Sequence, residues 1–216
     1  MAGYRGIAVG LPEKLNYAFD AETGTLSAIW QGDFINVNWS GQGSGDFNPA
    51  REPLTLAQDV SFVSLADENT QWPLMPVMTK ESPVNPDPLY PKNVGYQFRG
   101  YYLDDSLVPT FQYRSGSVEI EDRSTAAGNE QQQFLKRVLH FNSAAPQTLW
   151  FRALTGDIRQ ESDQAFRTER LRLVIPVGES KLRPLGCDEK QSELLLRLEI
   201  PQGKSSLEFQ YELLKK

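Results

Sequence analysis

Few residues in this sequence could carry acid–base chemistry. His140 is the only histidine, so it could act as a general base, but a site with several histidine ligands is excluded. Asp104-Asp105 and the cluster of Glu119, Glu121 and Asp122 could contain the pair of carboxylates that glycosidase-type hydrolysis places across a cleft. If the protein is an enzyme, we expect His140 with Asp104 or Glu119 to do acid–base chemistry on a carbohydrate. Each also has a plainer interpretation. His140 would be a structural residue of a strand, Asp104 a turn residue, and Glu119 a residue on the solvent-exposed face of a strand.

A second group of residues could bind a sugar without changing it. Trp72 and Tyr90 bracket a proline-rich segment, and prolines stiffen such a crossing at little entropic cost. We therefore expect the two rings to be presented as stacking surfaces for a sugar ring, with Arg99 or Asp104 bonding its hydroxyl groups. Packing of the same rings in the core is the alternative.

Composition and charge narrow the range of partners. The net charge is -6 and the isoelectric point is near 5.0, which disfavours nucleic acid and anionic membrane surfaces. A single cysteine, Cys187, excludes an internal disulfide and a thiolate metal cluster. No apolar run is long enough to span a bilayer. We expect no metal, no cofactor, no nucleic acid and no membrane among the partners.

Alternating apolar residues predict the strands that must position these side chains. In the N-terminal part, Asp20 and Gly24 are typical of a turn between two strands, and we expect Trp30 to lie in the core beside Phe19 and Phe34. Ser115-Gly116-Ser117 predicts the clearest hairpin. The segment from 134 to 139 fits either a helix or a strand, and we interpret it as a strand because strands surround it.

Regularly spaced strands without βαβ alternation predict an all-β fold. We expect a large antiparallel two-sheet β-sandwich, galactose mutarotase-like or jelly-roll-like, formed as a single domain over residues 1–216. The loops Ser40–Ala57 and Trp72–Pro91 would present any ligand site.

Several aromatic-glycine patterns carry a resemblance to a known group of proteins. They are Ile7-Ala8-Val9-Gly10-Leu11-Pro12, Asn16-Tyr17-Ala18-Phe19-Asp20-Ala21, Trp30-Gln31-Gly32-Asp33-Phe34 and Pro109-Thr110-Phe111-Gln112-Tyr113. The chain resembles, mainly over Ile7 to Arg123, an uncharacterised all-β region of large exported bacterial proteins. In those proteins the region lies beside c-type cytochrome or sugar-dehydrogenase-like propeller domains. The resemblance implies a periplasmic or exported location and such domains as neighbours, and it carries no catalytic residues.

Three classes of function follow. The first is a non-catalytic binding module for carbohydrate or another small ligand, within a larger exported assembly. The second is a carbohydrate-active enzyme with glycosidase- or mutarotase-like acid–base chemistry. The third is a structural or protein-interaction domain. The lone histidine favours binding over catalysis.

Overall fold

The regular secondary structure of the described residues is almost entirely β-strand. The computed structural model describes residues 5–37, 47–49, 52–76, 87–129, 132–176, 178–186 and 190–214. Their strands are β1 (Gly6–Gly10), β2 (Leu15–Asp20), β3 (Thr25–Gln31), β4 (Ile35–Val37), β5 (Phe47–Pro49), β6 (Leu54–Thr55), β7 (Phe62–Val63), β8 (Tyr96–Leu103), β9 (Pro109–Ser115), β10 (Val118–Gly128), β11 (Gln133–Ser143), β12 (Gln147–Gly156), β13 (Arg159–Ser162), β14 (Ala165–Arg167), β15 (Leu171–Val174), β16 (Glu179–Pro184), β17 (Ser192–Ile200) and β18 (Gly203–Leu213). Lys92–Val94 forms one short 3-10 helix. The predicted all-β class is confirmed.

All strand pairs are antiparallel. Eight strands form one sheet, which we call the large sheet, in the order β13-β14-β15-β18-β11-β10-β9-β8. Two four-stranded sheets have the orders β1-β2-β3-β6 and β16-β17-β12-β7, and β4 pairs with β5 alone. In the large sheet β18, the last strand in the sequence, therefore lies between β15 and β11.

The segment 54–63 joins the two smaller sheets into one layer. On one side, the Leu56 N–H donates to the Ser27 carbonyl of β3 at 3.1 Å. On the other side, the Thr155 N–H of β12 donates to the Leu56 carbonyl at 2.9 Å, and the Arg152 N–H donates to the Ser61 carbonyl at 3.0 Å. We call the result the joined layer.

The large sheet and the joined layer pack face to face around one main core. Aromatic rings from both layers meet there, as two packed sheets with alternating inward side chains require. The pairs and their centroid separations are Phe19 and Phe111 at 3.9 Å, Phe62 and Phe141 at 6.1 Å, and Phe151 and Phe209 at 5.2 Å. The predicted antiparallel two-sheet sandwich is confirmed.

Two turns and one ambiguous segment fold as predicted. Asp20 caps its own turn by accepting from the Glu22 N–H at 2.8 Å, and Gly24 adopts a positive φ of 72°. Ser115 pairs with Val118 across a tight hairpin. The segment from 134 to 139 is a strand, within β11.

Trp30 is buried, but on a different face from the one predicted. It packs in a small separate cluster with Ala18 and Ala28, and its ring stacks on that of Phe34 at 6.2 Å. Phe19 points to the main core on the opposite face of the sheet. The expected contact between Trp30 and Phe19 is therefore wrong, because the register pairs Ala18 with Ala28 and so assigns the two large rings to opposite faces.

Some predicted segments lie wholly or partly outside the described residues. They are Cys187, half of the predicted loop Ser40–Ala57, and the middle of the proline-rich crossing, from 77 to 86. The described parts of that crossing, 72–76 and 87–91, contain no strand. The described part of Ser40–Ala57 contains β5 and β6, so the prediction that all of it is loop is wrong.

Candidate functional site

A groove lies on the outer face of the large sheet, away from the sandwich core. Its cavity volume is about 590 Å³, and β8 to β11 and β18 line it. We call it the sheet-face groove. Its polar lining includes Arg99, Gln112, Arg114, Glu119, Glu121, His140, Asn142 and Lys204.

The alternation of side chains along paired strands brings these groups together. In β10, Glu119 and Glu121 are two residues apart and share a face, whereas Ile120 between them is buried in the core. The register places Glu121 directly opposite His140 on β11 and opposite Gln112 on β9. One row across the sheet therefore carries an acid, an imidazole and an amide.

The neighbouring row repeats the arrangement with other groups. Glu119 lies opposite Asn142 on β11 and opposite Arg114 on β9. Because directly opposite side chains on antiparallel strands are close, each carboxylate has a polar neighbour on both sides.

Amide groups hold both carboxylates in position. Gln112 Nε2 donates to Glu121 Oε1 at 3.0 Å, and Asn142 Nδ2 donates to Glu119 Oε2 at 3.1 Å. Each carboxylate keeps further lone pairs that can accept hydrogen bonds from a ligand. The groove thus presents oriented acceptors beside the donors of arginine and lysine.

A register shift in β8 brings Arg99 into the groove. The shift falls between Phe98, which lies opposite Tyr113, and Gly100, which lies opposite Gln112. Gly100 has a φ of +133°, and a Cβ there would meet no atom within 4 Å. The backbone at Gly100 therefore leaves open space beside Gln112, and a side chain at this position would be strained.

The structure brings three of the predicted residues together. Arg99, which is predicted to bind a sugar, lines the sheet-face groove together with Glu119 and His140, which are predicted to do acid–base chemistry. Gln112, Arg114 and Asn142 are not among the predicted site residues, and Glu121 is predicted only as a member of the acidic cluster. Alternation from Glu119 through the predicted Ser115–Ser117 hairpin assigns the same face to Glu121, Gln112 and Arg114. Asn142 lies on β11, beyond that hairpin.

Asp104 lies outside the groove and is committed to local structure. Its Oδ1 accepts from the backbone N–H groups of Ser106 and Val108, both at 2.9 Å, and its Oδ2 forms an ion pair with Arg123. The Val108 hydrogen bond and then Arg123 hold the pKa of Asp104 below its usual value. The structure therefore does not bring Asp104 and His140 together, and the turn interpretation describes this carboxylate.

Trp72 and Tyr90 are buried, so their predicted role as exposed stacking surfaces is wrong. Trp72 is 5% exposed, and its Nε1 donates to the Val60 carbonyl at 3.0 Å. Tyr90 is 7% exposed, and its hydroxyl accepts from the Val60 N–H at 2.8 Å and donates to the Pro73 carbonyl at 3.3 Å. Burial raises the pKa of Tyr90. Both rings therefore attach the crossing to the sheet, and neither is displayed to a ligand.

A buried row of charges explains why Trp72 faces inward. The Arg152 guanidinium lies 6.0 Å from the centre of the Trp72 ring and forms ion pairs with Asp59 at 3.1 Å and Glu193 at 2.8 Å. The contact between Arg152 Nε and Glu193 Oε2 is too bent for a hydrogen bond. Arg183 pairs with the other oxygen of Glu193 at 2.6 Å. Trp72 covers this row from solvent.

The described residues offer neither a metal cluster nor a membrane-spanning helix. Within them, no group of three or more histidine, cysteine, aspartate or glutamate side chains is arranged to hold a metal ion. Similarly, no helix in the described ranges is long and apolar enough to cross a membrane.

Comparison with known proteins adds no family assignment. No model of a known protein family matches this chain, and no curated protein matches it significantly. The resemblance to exported bacterial proteins stays a proposal, and the functional argument rests on the sheet-face groove.

Proposed function

We propose that the protein is a non-catalytic carbohydrate-binding module and that the sheet-face groove is its binding site. The observation that carries the proposal is the convergence of Arg99, Glu119 and His140 with amide-held carboxylates on one rigid sheet face. Sugar hydroxyls both donate and accept hydrogen bonds, so a site for them needs acceptors and donors side by side. The groove has both.

The size and the surroundings of the groove support a sugar ligand. A volume of about 590 Å³ lies within the range of ~300–1,000 Å³ typical of small-molecule sites. Tyr102, which is 47% exposed, lies two residues beyond Gly100 on β8 and faces the same side of the large sheet. Tyr102 does not line the groove itself, but its ring is an exposed aromatic surface on the same sheet face and could stack on a sugar in place of the buried Trp72.

Catalysis is the second candidate function. Glu121 lies directly opposite His140 in the register, so the two could share acid–base work on a bound sugar, as a mutarotase- or glycosidase-like enzyme requires. Anomer interconversion followed by NMR, together with release of reducing sugar, would detect such an activity. The enzymatic candidate requires turnover that His140→Ala abolishes.

The wider setting is also a proposal. The resemblance described above supports a periplasmic or exported assembly in which cytochrome or propeller domains are neighbours. A purely structural or protein-interaction role is the remaining alternative, and a saccharide titration separates it from the binding module.

The test is calorimetric titration of the whole chain with neutral and acidic saccharides. We expect dissociation constants between about 1 µM and 1 mM, because an open polar site gains only modest affinity. Glu121→Gln should weaken binding about tenfold or more, because hydrogen bonds to a charged group contribute about 1.5–3 kcal/mol.

Glu208→Gln is the matched control. Glu208 is exposed on β18, faces the same side of the large sheet as His140, and does not line the groove. Its replacement should leave binding unchanged. Absence of binding to every saccharide at millimolar concentration, or binding that Glu121→Gln does not weaken, would refute the proposal.

A further inference from the structure

Two arginines in the sheet-face groove lack the ion pairs that nearly all other arginines make. Nine arginines in the described residues form an ion pair with a carboxylate. Arg99 and Arg114 form none with any described residue, and the third exception, Arg5, lies outside the groove. Acidic residues exceed basic ones by 28 to 22, so unpaired guanidinium groups are unexpected in this chain.

The register gives Arg114 a neighbouring carboxylate with which it does not pair. Glu119 lies directly opposite Arg114 in the register, where an ion pair would be expected. Its Oε2 instead accepts from Asn142 on β11, on the far side from Arg114. The amide of Asn142 therefore holds Glu119 away from Arg114, which lines the groove without a carboxylate partner among the described residues. Glu121 is held by Gln112, which lies on the same strand as Arg114.

The groove has the opposite charge balance to the whole protein. Arg99, Arg114 and Lys204 contribute three positive charges against the two carboxylates of Glu119 and Glu121, whereas the chain carries a net charge of -6. Guanidinium groups recognise planar carboxylates and sulfates through paired hydrogen bonds.

We infer that the sugar bound in the groove carries an anionic group, which Arg99 and Arg114 hold. The group is a uronate carboxylate or a sulfate ester, since both present oxygens that a guanidinium can bind in pairs. Glu119, Glu121 and His140 then bond the ring hydroxyls on the other side. This inference rests on the proposed function, because it assumes that the ligand is a saccharide.

The experiment compares sugars that share a ring and differ only in charge. Galactose, galacturonate and galactose 6-sulfate form one set, and glucose, glucuronate and glucose 6-sulfate form a second. Titration of the whole chain at low salt should show about tenfold or tighter binding of an acidic member than of its neutral partner. Whether the carboxylate or the sulfate gives the larger ratio identifies the source of the charge. Added salt should reduce the ratio, because the groove is open to solvent.

Arg99→Ala and Arg114→Ala test the assignment of the charge to these side chains. Either change should lower the ratio of acidic to neutral affinity severalfold, and the double variant should bring it close to one. Arg159→Ala is the matched control, because Arg159 is an exposed arginine on β13 at the other edge of the large sheet. It should leave the ratio unchanged.

The outcomes separate the two proposals. Equal affinity for neutral and acidic sugars overturns the anionic ligand and leaves the carbohydrate-binding function standing. A preference that survives the double arginine variant also overturns this assignment. Absence of binding to every sugar in both sets overturns this inference, and absence across the wider saccharide panel as well overturns the proposed function.

Discussion

Asp104 illustrates how a single carboxylate can be fully used by its own turn. It accepts hydrogen bonds from two backbone N–H groups and pairs with Arg123, so the fold favours its charged form. The pKa of Asp104 is accordingly below its usual value. An aspartate in such a turn stabilises the end of β8 and the start of β9, and it does not serve a ligand.

Acid titration should reveal this role. A carboxyl group whose folded pKa is lowered contributes stability above its ordinary pKa of about 4, and that contribution is lost as the pH falls through the folded pKa. We expect the free energy of unfolding, measured with urea, to decline below pH ~4, and to decline less steeply in Asp104→Asn. The asparagine keeps the turn acceptor but loses the charge.

Asp105→Asn is the control for this titration, because Asp105 is the exposed neighbour of Asp104. It removes one carboxylate charge from the same turn and leaves the hydrogen bonds of Asp104 in place. Equal acid slopes in Asp104→Asn and in the unchanged protein would contradict the role assigned to Asp104.

The segment 64–76 is held against the joined layer by Trp72 and the charges beneath it. Trp72 donates to the Val60 carbonyl, and its ring covers Arg152. Arg183 adds hydrogen bonds from Nη1 to the carbonyls of Glu68 at 2.7 Å and Thr70 at 2.8 Å. A segment with little regular structure is thereby fixed by one ring and two guanidinium groups.

Loss of the ring should therefore destabilise the protein. Trp72→Ala should cost about 3–5 kcal/mol of unfolding free energy in urea, as large buried aromatics do. Trp72→Phe keeps a ring over Arg152 but loses the hydrogen bond to Val60 and part of the buried ring volume, so a smaller cost of about 1–3 kcal/mol is expected.

Leu74→Ala is the matched control, because Leu74 lies two residues away and is 52% exposed. Its effect should stay within about 0.5 kcal/mol. A cost below ~1 kcal/mol for Trp72→Ala would show that the ring does not hold the segment.

The contrast between Trp72 and the turns shows what sequence could predict. The Asp20 and Ser115–Ser117 turns were predictable because the residues that determine them are adjacent. The burial of Trp72 was not, because its partners Val60 and Arg152 come from distant positions. The groove was predictable in part, since alternation gives the face of Glu119 and His140. The entry of Arg99 depends on a register shift. Gly100 is a sequence sign of an irregularity there, but it does not predict the face on which Arg99 lies.

An ion pair of the large sheet is buried on its inner face, where the two layers of the sandwich meet. Arg137 on β11 and Asp122 on β10 are each 2% exposed and lie 2.5 Å apart. The Tyr113 hydroxyl donates to Asp122 at 3.0 Å, and the Arg137 guanidinium lies 5.5 Å from the ring of Phe151 in the joined layer. Burial and then Asp122 raise the pKa of Tyr113. The core of the sandwich is therefore not purely apolar.

Removing one member of this pair should strongly destabilise the protein. Asp122→Asn leaves the Arg137 charge buried without its counter-charge, and such losses typically cost about 3–5 kcal/mol. Urea unfolding at neutral pH measures the change. The double variant Asp122→Asn with Arg137→Gln should recover part of the loss, because the unpaired charge is gone.

Glu208→Gln, exposed on the same sheet, serves again as the control and should change stability by no more than about 0.5 kcal/mol. If Asp122→Asn costs less than ~1 kcal/mol, the pair does not stabilise the packing of the two layers.

The central position of β18 has a consequence for how the protein is made. A chain emerges from the ribosome at about 5–20 residues per second, from its N-terminus. The register pairs Ser143 of β11 with Gly203 of β18, a separation of 60 residues, so the partner of β11 arrives about 3–12 seconds later. During that interval the nascent chain carries β8 to β11 with an unpaired strand edge, which is the kind of surface that binds other nascent chains. The large sheet is completed only after synthesis has passed Leu213, so we expect the β11 edge to stay unpaired until then.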